Sequence, residues 1–142
     1  MCVSNAIQTT AFLLVLLTTF ANSEINSGPV PPEVKDSMTS LRNNCTNELN
    51  ITEEEYQNFD WNWEPKLMCY IQCVLLNLGW ITEENVPDFN AMESTLPITY
   101  KSYVDLNREH CHNVPDGFHE CEKAYNYMRC FRDQDPEKWF LP

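Results

Sequence analysis

Six cysteines constrain the fold of this chain more than any other feature of its sequence. They follow the spacing C-x23-C-x3-C-x37-C-x9-C-x8-C and are Cys45, Cys69, Cys73, Cys111, Cys121 and Cys130. An even set of cysteines in a small secreted chain indicates three disulfides. The sequence therefore predicts covalent links between elements that are far apart along the chain.

The first 23 residues are typical of a secretion signal. An apolar run covers 11–21, and Ala21 and Ser23 supply the small residues before a cut at Glu24. The seventh cysteine, Cys2, lies in this segment. The run is shorter than the roughly 20 residues that span a bilayer. We expect a secreted, extracellular protein with no membrane span, whose single binding domain covers 24–142 and whose tail covers 131–142.

The composition argues against several classes of function. With 9 Lys and Arg against 21 Asp and Glu, the net charge is −12. A chain this acidic is not expected to bind nucleic acid or to lyse membranes as a cationic peptide. It contains neither G-x-S-x-G nor H-E-x-x-H, so we predict no enzyme and no catalytic residues.

Apolar residues recur at helical spacing, and no run alternates for long enough to form a strand. The sequence predicts an all-α domain of about six helices. Thr52 and Glu55 form a capping box that starts a short helix. The other helices are expected over 33–44, 66–78, 86–95, 98–113 and 116–133.

Helical geometry limits which cysteines can pair. Cys69 and Cys73 lie four residues apart on one face of the most apolar helix, so they should reach different partners. Cys121 and Cys130 lie nine residues apart, on opposite faces of the last helix, which should therefore be held from two sides. Without excluding other pairings, this favours Cys69–Cys121 and Cys111–Cys130, which leaves Cys45–Cys73.

A zinc site is the alternative use of these cysteines. Cys69 and Cys73, with His110, Cys111 and His112 nearby, could supply ligands. Secretion favours oxidation of the thiols, and the C-x2-C spacing of common structural sites is absent. We therefore predict no metal and no cofactor.

The cysteine spacing and the segments LMCYIQCVLLNLGW and CEKAYNYMRCF resemble the six-cysteine insect odorant-binding proteins. The resemblance covers nearly the whole mature chain, and the x3 and x8 intervals are fixed in that family. It implies the pairing that the helix geometry favours, and a short tail of the dipteran type that covers the cavity.

The resemblance also implies a function. Members of the family carry small hydrophobic molecules, such as odorants or pheromones, through aqueous fluid such as the lymph of sensory hairs. An olfactory receptor is a conceivable partner, and the protein could be a monomer or a homodimer. The alternative is a seminal, salivary or gustatory protein of the same fold, with a reduced pocket, that acts through partner surfaces.

A carrier of this kind needs an apolar pocket with few polar groups. Leu75 and Trp80 fall where dipteran members often have small hydroxyl residues, which predicts a smaller, more apolar pocket for an aromatic or hydrocarbon ligand. The Trp80 ring keeps one N–H donor. The expected ligand contacts are Met38, Leu41, Met68, Leu75, Leu76, Trp80, Phe89, Met92, Val104, Ala124, Met128, Phe131, Trp139, Phe140 and Leu141.

Three histidines around the last loop suggest a response to pH. We hypothesise that low pH loosens the acidic tail; exposed histidines without a switch are the equal alternative. Trp61 and Trp63 are expected to be structural. The titratable residues concerned are His110, His112, His119, Asp133, Asp135 and Glu137.

Overall fold

The computed structural model describes residues 28–59 and 64–142, so the expected secretion signal and Trp61 and Trp63 lie outside the described residues. Helices dominate these residues, as predicted, and their only extended pairing is an isolated bridge between Ile81 and Pro87. Short 3-10 turns at Pro32–Val34 and Ile98–Tyr100 lead into longer helices. The α-helices are α1 Lys35–Glu48, α2 Glu53–Gln57, α3 Pro65–Asn77, α4 Phe89–Thr95, α5 Lys101–His110 and α6 Glu122–Gln134.

The predicted capping box at the start of α2 is confirmed. The Glu55 amide donates to the Thr52 hydroxyl at 3.1 Å, and the Thr52 amide donates to the Glu55 carboxylate at 2.8 Å. Lys66, in the first turn of α3, reaches the same carboxylate at 2.5 Å. The Lys66 and Thr52 hydrogen bonds lower the pKa of Glu55 to about 2. The capping box therefore also links α2 to the start of α3.

The start of α4 was predicted three residues too early. The chain first turns back on itself, with the Thr82 amide bonded to the Val86 carbonyl at 2.8 Å. Asp88 then caps the helix by accepting from the Asn90 and Ala91 amides at 3.0 and 2.9 Å. The bridge and the cap hold residues 81–88 outside the helix.

The predicted starts and ends of the last two helices were also wrong. The chain ends α5 at His110 rather than at 113, and it begins α6 at Glu122 rather than at 116. Gly117 adopts a φ of +82°, which a helix does not allow. The buried Glu122 carboxylate accepts from the Phe118 and His119 amides at 2.6 and 3.1 Å, which holds the preceding loop against the first turn.

All three predicted disulfides are confirmed, and the zinc alternative is wrong for these cysteines. The Cα atoms of the bonded pairs lie 5.0–5.9 Å apart, within the usual range. Cys121 immediately precedes α6 and Cys130 lies near its end, so the helix is tied to α3 and to the end of α5. The pairs are Cys45–Cys73, Cys69–Cys121 and Cys111–Cys130.

The most apolar helix, α3, forms the centre of the fold and packs against α6 and α1. Its inner face contains Leu67, Tyr70, Ile71, Val74 and Leu75, all of which are fully buried. The α5 helix packs against both α4 and α6. Among the described residues, the helices are too short or too polar to cross a bilayer.

Candidate functional site

The residues expected to contact a ligand come together in or against one apolar cluster. On α3, Met68 and Leu75 are buried, whereas Leu76 is partly buried and packs against the cluster. On α6, the spacing of four and three residues places Ala124, Met128 and Phe131 on one buried face. Which of these side chains contact a ligand stays a prediction.

The shorter helices supply the other expected wall residues. Met92 of α4 and Val104 of α5 have no exposed surface, and Met38 and Leu41 of α1 are also buried. The ring of Phe89 is partly buried and meets that of Phe131 edge-on, with centroids 6.4 Å apart. Helices α1, α4 and α5 thus close the cluster around α3 and α6.

The tail lies inside the fold, as an apolar chain end must if it is to be ordered. Trp139 is 1% exposed, and Phe140 and Leu141 are also buried. The indole N–H of Trp139 points to the Met128 sulfur at 3.1 Å. The Phe140 ring packs edge-on against that of Tyr100, at a centroid distance of 6.2 Å. The tail is therefore an inner wall of the cluster.

Two tyrosines hold the end of the tail. The hydroxyls of Tyr56 and Tyr70 both donate to the backbone oxygen of Pro142, the former at 3.0 Å. Burial raises the pKa of both hydroxyls. Both tyrosines therefore stay protonated and able to donate at any ordinary pH.

The beginning of the described chain also holds the tail. The Gly28 amide donates to the Trp139 carbonyl at 2.6 Å. A Cβ at position 28 would lie 2.9 Å from that carbonyl oxygen and closer still to the carbonyl oxygen of Glu137. Only glycine fits at this contact without displacing the tail.

The Trp80 side chain is buried where the sequence predicts, but its donor is not free. Its indole N–H donates to the Thr95 hydroxyl at 2.7 Å. That bond ties the end of α3 to the end of α4. Trp80 therefore offers an apolar face, and the N–H donor that its ring keeps is used within the protein.

A groove of about 200 Å³ opens beside the end of the tail. Arg42 lies at its edge, 2.6 Å from Glu53 and with its guanidinium carbon 4.2 Å from the centre of the Tyr56 ring. The groove is lined by Val30, Lys35, Met38, Thr39, Arg42, Tyr56, Leu141 and Pro142.

Sequence reasoning missed the polar residues of this interior. Tyr56 and Tyr70 anchor the tail, and Tyr103 and Asn107 are buried on α5. A signal was present for the α5 pair, because Asn107 follows Tyr103 by four residues and the buried Val104 by three, which places it on their face of the helix.

Within the described part of the chain, the histidine rings have their hydrogen bonds and their ion pair with Glu109 and Cys121. The His110 ring lies 3.9 Å from Glu109, and the His112 ring lies 3.1 Å from the Glu109 carbonyl. The His119 ring accepts from the Cys121 amide at 3.2 Å. The tail acid Asp135 faces Lys138 at 3.9 Å instead. Loosening of the tail by histidine charge stays an untested hypothesis, and these contacts do not favour it.

Comparison with known proteins points to one family. The pattern of the PBP/GOBP family matches residues 28–134. General odorant-binding protein 69a of Drosophila melanogaster is 21% identical over 126 residues, which cover 85% of this chain and 84% of that protein. Odorant binding protein 4 of Chrysopa pallens superposes with a TM-score of 0.65 and 29% identity, covering 80% of this chain and 99% of the other.

A third likeness concerns the fold alone. The fatty acid binding protein OBP56a from the oral disk of the blowfly Phormia regina is 18% identical and superposes with a TM-score of 0.62. The likeness covers 77% of this chain and 97% of the blowfly chain. The same helical framework is therefore found at very low sequence identity.

Proposed function

Because the chain belongs to the PBP/GOBP family, we propose that it is a secreted carrier that binds small hydrophobic molecules within its helical core. One observation supports this most: the tail folds inward and completes an apolar cluster that contains or adjoins every residue expected to contact a ligand. A globular domain does not need its chain end inside for solubility. An inner wall that is held by a few hydrogen bonds suits a cavity that must admit and release its contents.

We also propose which class of ligand the protein binds and through which fluid it carries that ligand. The blowfly protein of the same fold is a fatty acid binding protein, so the framework can accept an aliphatic molecule. We place the ligand between α3, α6 and the tail, against Leu75, Met128 and Trp139. We also propose transport through an aqueous fluid such as sensillum lymph, towards a receptor.

Displacement of a fluorescent apolar probe tests the carrier proposal. We expect the folded protein to bind the probe and to release it at micromolar concentrations of aliphatic or aromatic competitors. Trp139→Ala should weaken binding about tenfold or more, because the ligand loses an apolar wall and gains contact with water.

Phe118→Ala is the matched control for that variant. Phe118 is fully exposed on the loop before α6, so its removal should leave probe affinity unchanged. Equal affinities of the wild-type protein and Trp139→Ala would show that the tail is not part of the site.

A second function has one observation in its favour. The tail, Leu75 and Trp80 together occupy much of the interior, so the cluster could be too full to admit a ligand. The protein would then act through its surface, as a non-olfactory secreted factor of the same fold. Absence of any binder at micromolar concentrations, in a correctly folded and disulfide-bonded sample, would favour this alternative.

A further inference from the structure

Asn107 is a polar side chain inside an apolar layer. It has no exposed surface, and within the described part of the chain neither its amide nitrogen nor its amide oxygen has a hydrogen bond of normal geometry. The Tyr103 hydroxyl, four residues earlier, comes close enough to interact with it weakly. Such groups are rare in folded proteins, because burial removes their bonds to water without replacing them. An amide that is buried with most of its hydrogen-bonding capacity unused indicates that a ligand supplies the complementary polar group.

The amide lies in the wall that the proposed function assigns to the ligand. Asn107 follows Tyr103 and Val104 by four and three residues, so the three share the buried face of α5. Because Cys111 is bonded to Cys130 and Lys138 donates to Ser102 at 2.8 Å, α5 runs antiparallel to α6 and its tail. Asn107 lies between these two ties.

The charges around this position oppose an anionic ligand. Burial raises the pKa of the Tyr103 hydroxyl, a hydrogen-bonding contact with the Asn107 side chain lowers it, and the Asp135 carboxylate adds to the rise. The same carboxylate would repel a negatively charged head group. The nearby cation, Lys138, already contacts Asp135 and Ser102.

Resting on the proposed function, we infer that Asn107 is the polar anchor of the ligand site, and that its ligands are neutral apolar molecules with one hydroxyl or carbonyl group. An amide can accept from a hydroxyl through its oxygen and donate to a carbonyl through its nitrogen. From Leu75 and Trp80 alone, the sequence predicts a hydrocarbon or aromatic ligand. The inferred ligand differs because Asn107 supplies a polar group from α5, where none was predicted from the sequence.

Ligands of similar size that differ in their polar group test the inference. Affinities of the wild-type protein for 1-octanol, octanal, nonane and octanoate are measured by probe displacement. We expect 1-octanol and octanal to bind about tenfold tighter than nonane, which corresponds to one satisfied hydrogen bond. Octanoate at neutral pH should bind more weakly than 1-octanol.

Two variants test whether Asn107 causes the preference for 1-octanol over nonane. Asn107→Leu keeps the approximate size of the side chain and should abolish the preference for 1-octanol over nonane. It should also raise the melting temperature of the ligand-free protein, because it removes a buried amide whose hydrogen-bonding capacity is not satisfied. Asn43→Leu, at an exposed position on α1, should change neither quantity.

The outcomes separate this inference from the proposed function. Equal affinities of the wild-type protein for 1-octanol and nonane, or a preference that survives in Asn107→Leu, would overturn the inference while the carrier proposal stands. Failure of all four compounds to bind would contradict both. The wild-type ligand series decides the inference even if Asn107→Leu does not fold.

Discussion

At the scale of single residues, the interior depends on a few polar contacts that hold apolar parts in place. Tyr56 and Tyr70 bind the last backbone oxygen of the tail, Trp80 is tied to Thr95, and Trp139 points at the Met128 sulfur. Each of these bonds fixes a large ring or a chain end in the interior. The buried cluster is therefore apolar, and its rings and chain end are held in fixed orientations.

Tyr70→Phe tests the anchoring of the tail. It removes one of the two hydroxyls on the Pro142 oxygen and leaves Tyr56 in place, so we expect a loss of about 1 kcal/mol in the free energy of unfolding. Denaturant unfolding measures this loss, and faster proteolysis near residue 140 should accompany it.

Tyr100→Phe is the control for that variant, since the Tyr100 hydroxyl has no hydrogen bond among the residues that the structure describes. It should unfold like the wild-type protein. If Tyr70→Phe were as stable as Tyr100→Phe, the Tyr70 hydroxyl would have no part in holding the tail.

At the scale of elements, the tail is an inner wall fixed at both of its sides. The Gly28 amide binds the Trp139 carbonyl on one side, and Lys138 reaches Ser102 of α5 on the other. Within the tail, the Trp139 amide bonds the Asp135 carbonyl at 3.0 Å, which turns the chain inward after α6. These contacts involve the backbone as much as side chains.

Gly28→Ala should displace the tail. Its methyl group would meet the carbonyl oxygens of Glu137 and Trp139, which belong to the backbone and cannot simply rotate away. We expect a loss of about 1–3 kcal/mol in the free energy of unfolding, as for other overpacked sites. Tryptophan fluorescence should shift to longer wavelength as Trp139 meets water. An unchanged spectrum and unchanged stability would contradict the described contact.

The elements also show what a sequence can and cannot predict. Helical class follows from local spacing, and the spacing favours the observed cysteine pairing without excluding others, since Cys69 and Cys73 share a face and Cys121 and Cys130 do not. The starts of α4 and α6 were missed, because they depend on contacts of single side chains: Asp88 caps the first turn of α4, and Glu122 holds the loop that precedes α6. The periodic spacing of apolar residues does not reveal such contacts.

In the candidate site, too, features that depend on local spacing were predicted, and features that depend on distant contacts were not. Apolar positions such as Met128 and Phe131 were predicted from their spacing, because burial of one helix face is a local property. The use of the Trp80 donor and the role of Tyr56 depend on partners 15 and 86 residues away along the chain. Likewise, the unused hydrogen-bonding capacity of Asn107 can be recognised only when the positions of its neighbours are known.

At the scale of the whole molecule, three disulfides hold the helices while the tail closes the interior. The bonds join residues 19–52 positions apart and tie α6 to both α3 and α5. In the chain-entropy view each contributes about 3–4 kcal/mol. A framework fixed in this way can keep an apolar interior open to exchange without unfolding. We therefore expect ligands to bind in the core and not in the surface grooves.

The most direct test of this account is an NMR titration of the folded protein with 1-octanol, followed through amide and methyl resonances. We predict saturable shifts that concentrate on Val104, Met128 and Leu141, at one molecule bound per chain. Shifts confined to exposed positions such as Val114 and Phe118, or no saturable shift at all, would contradict a carrier with an internal site.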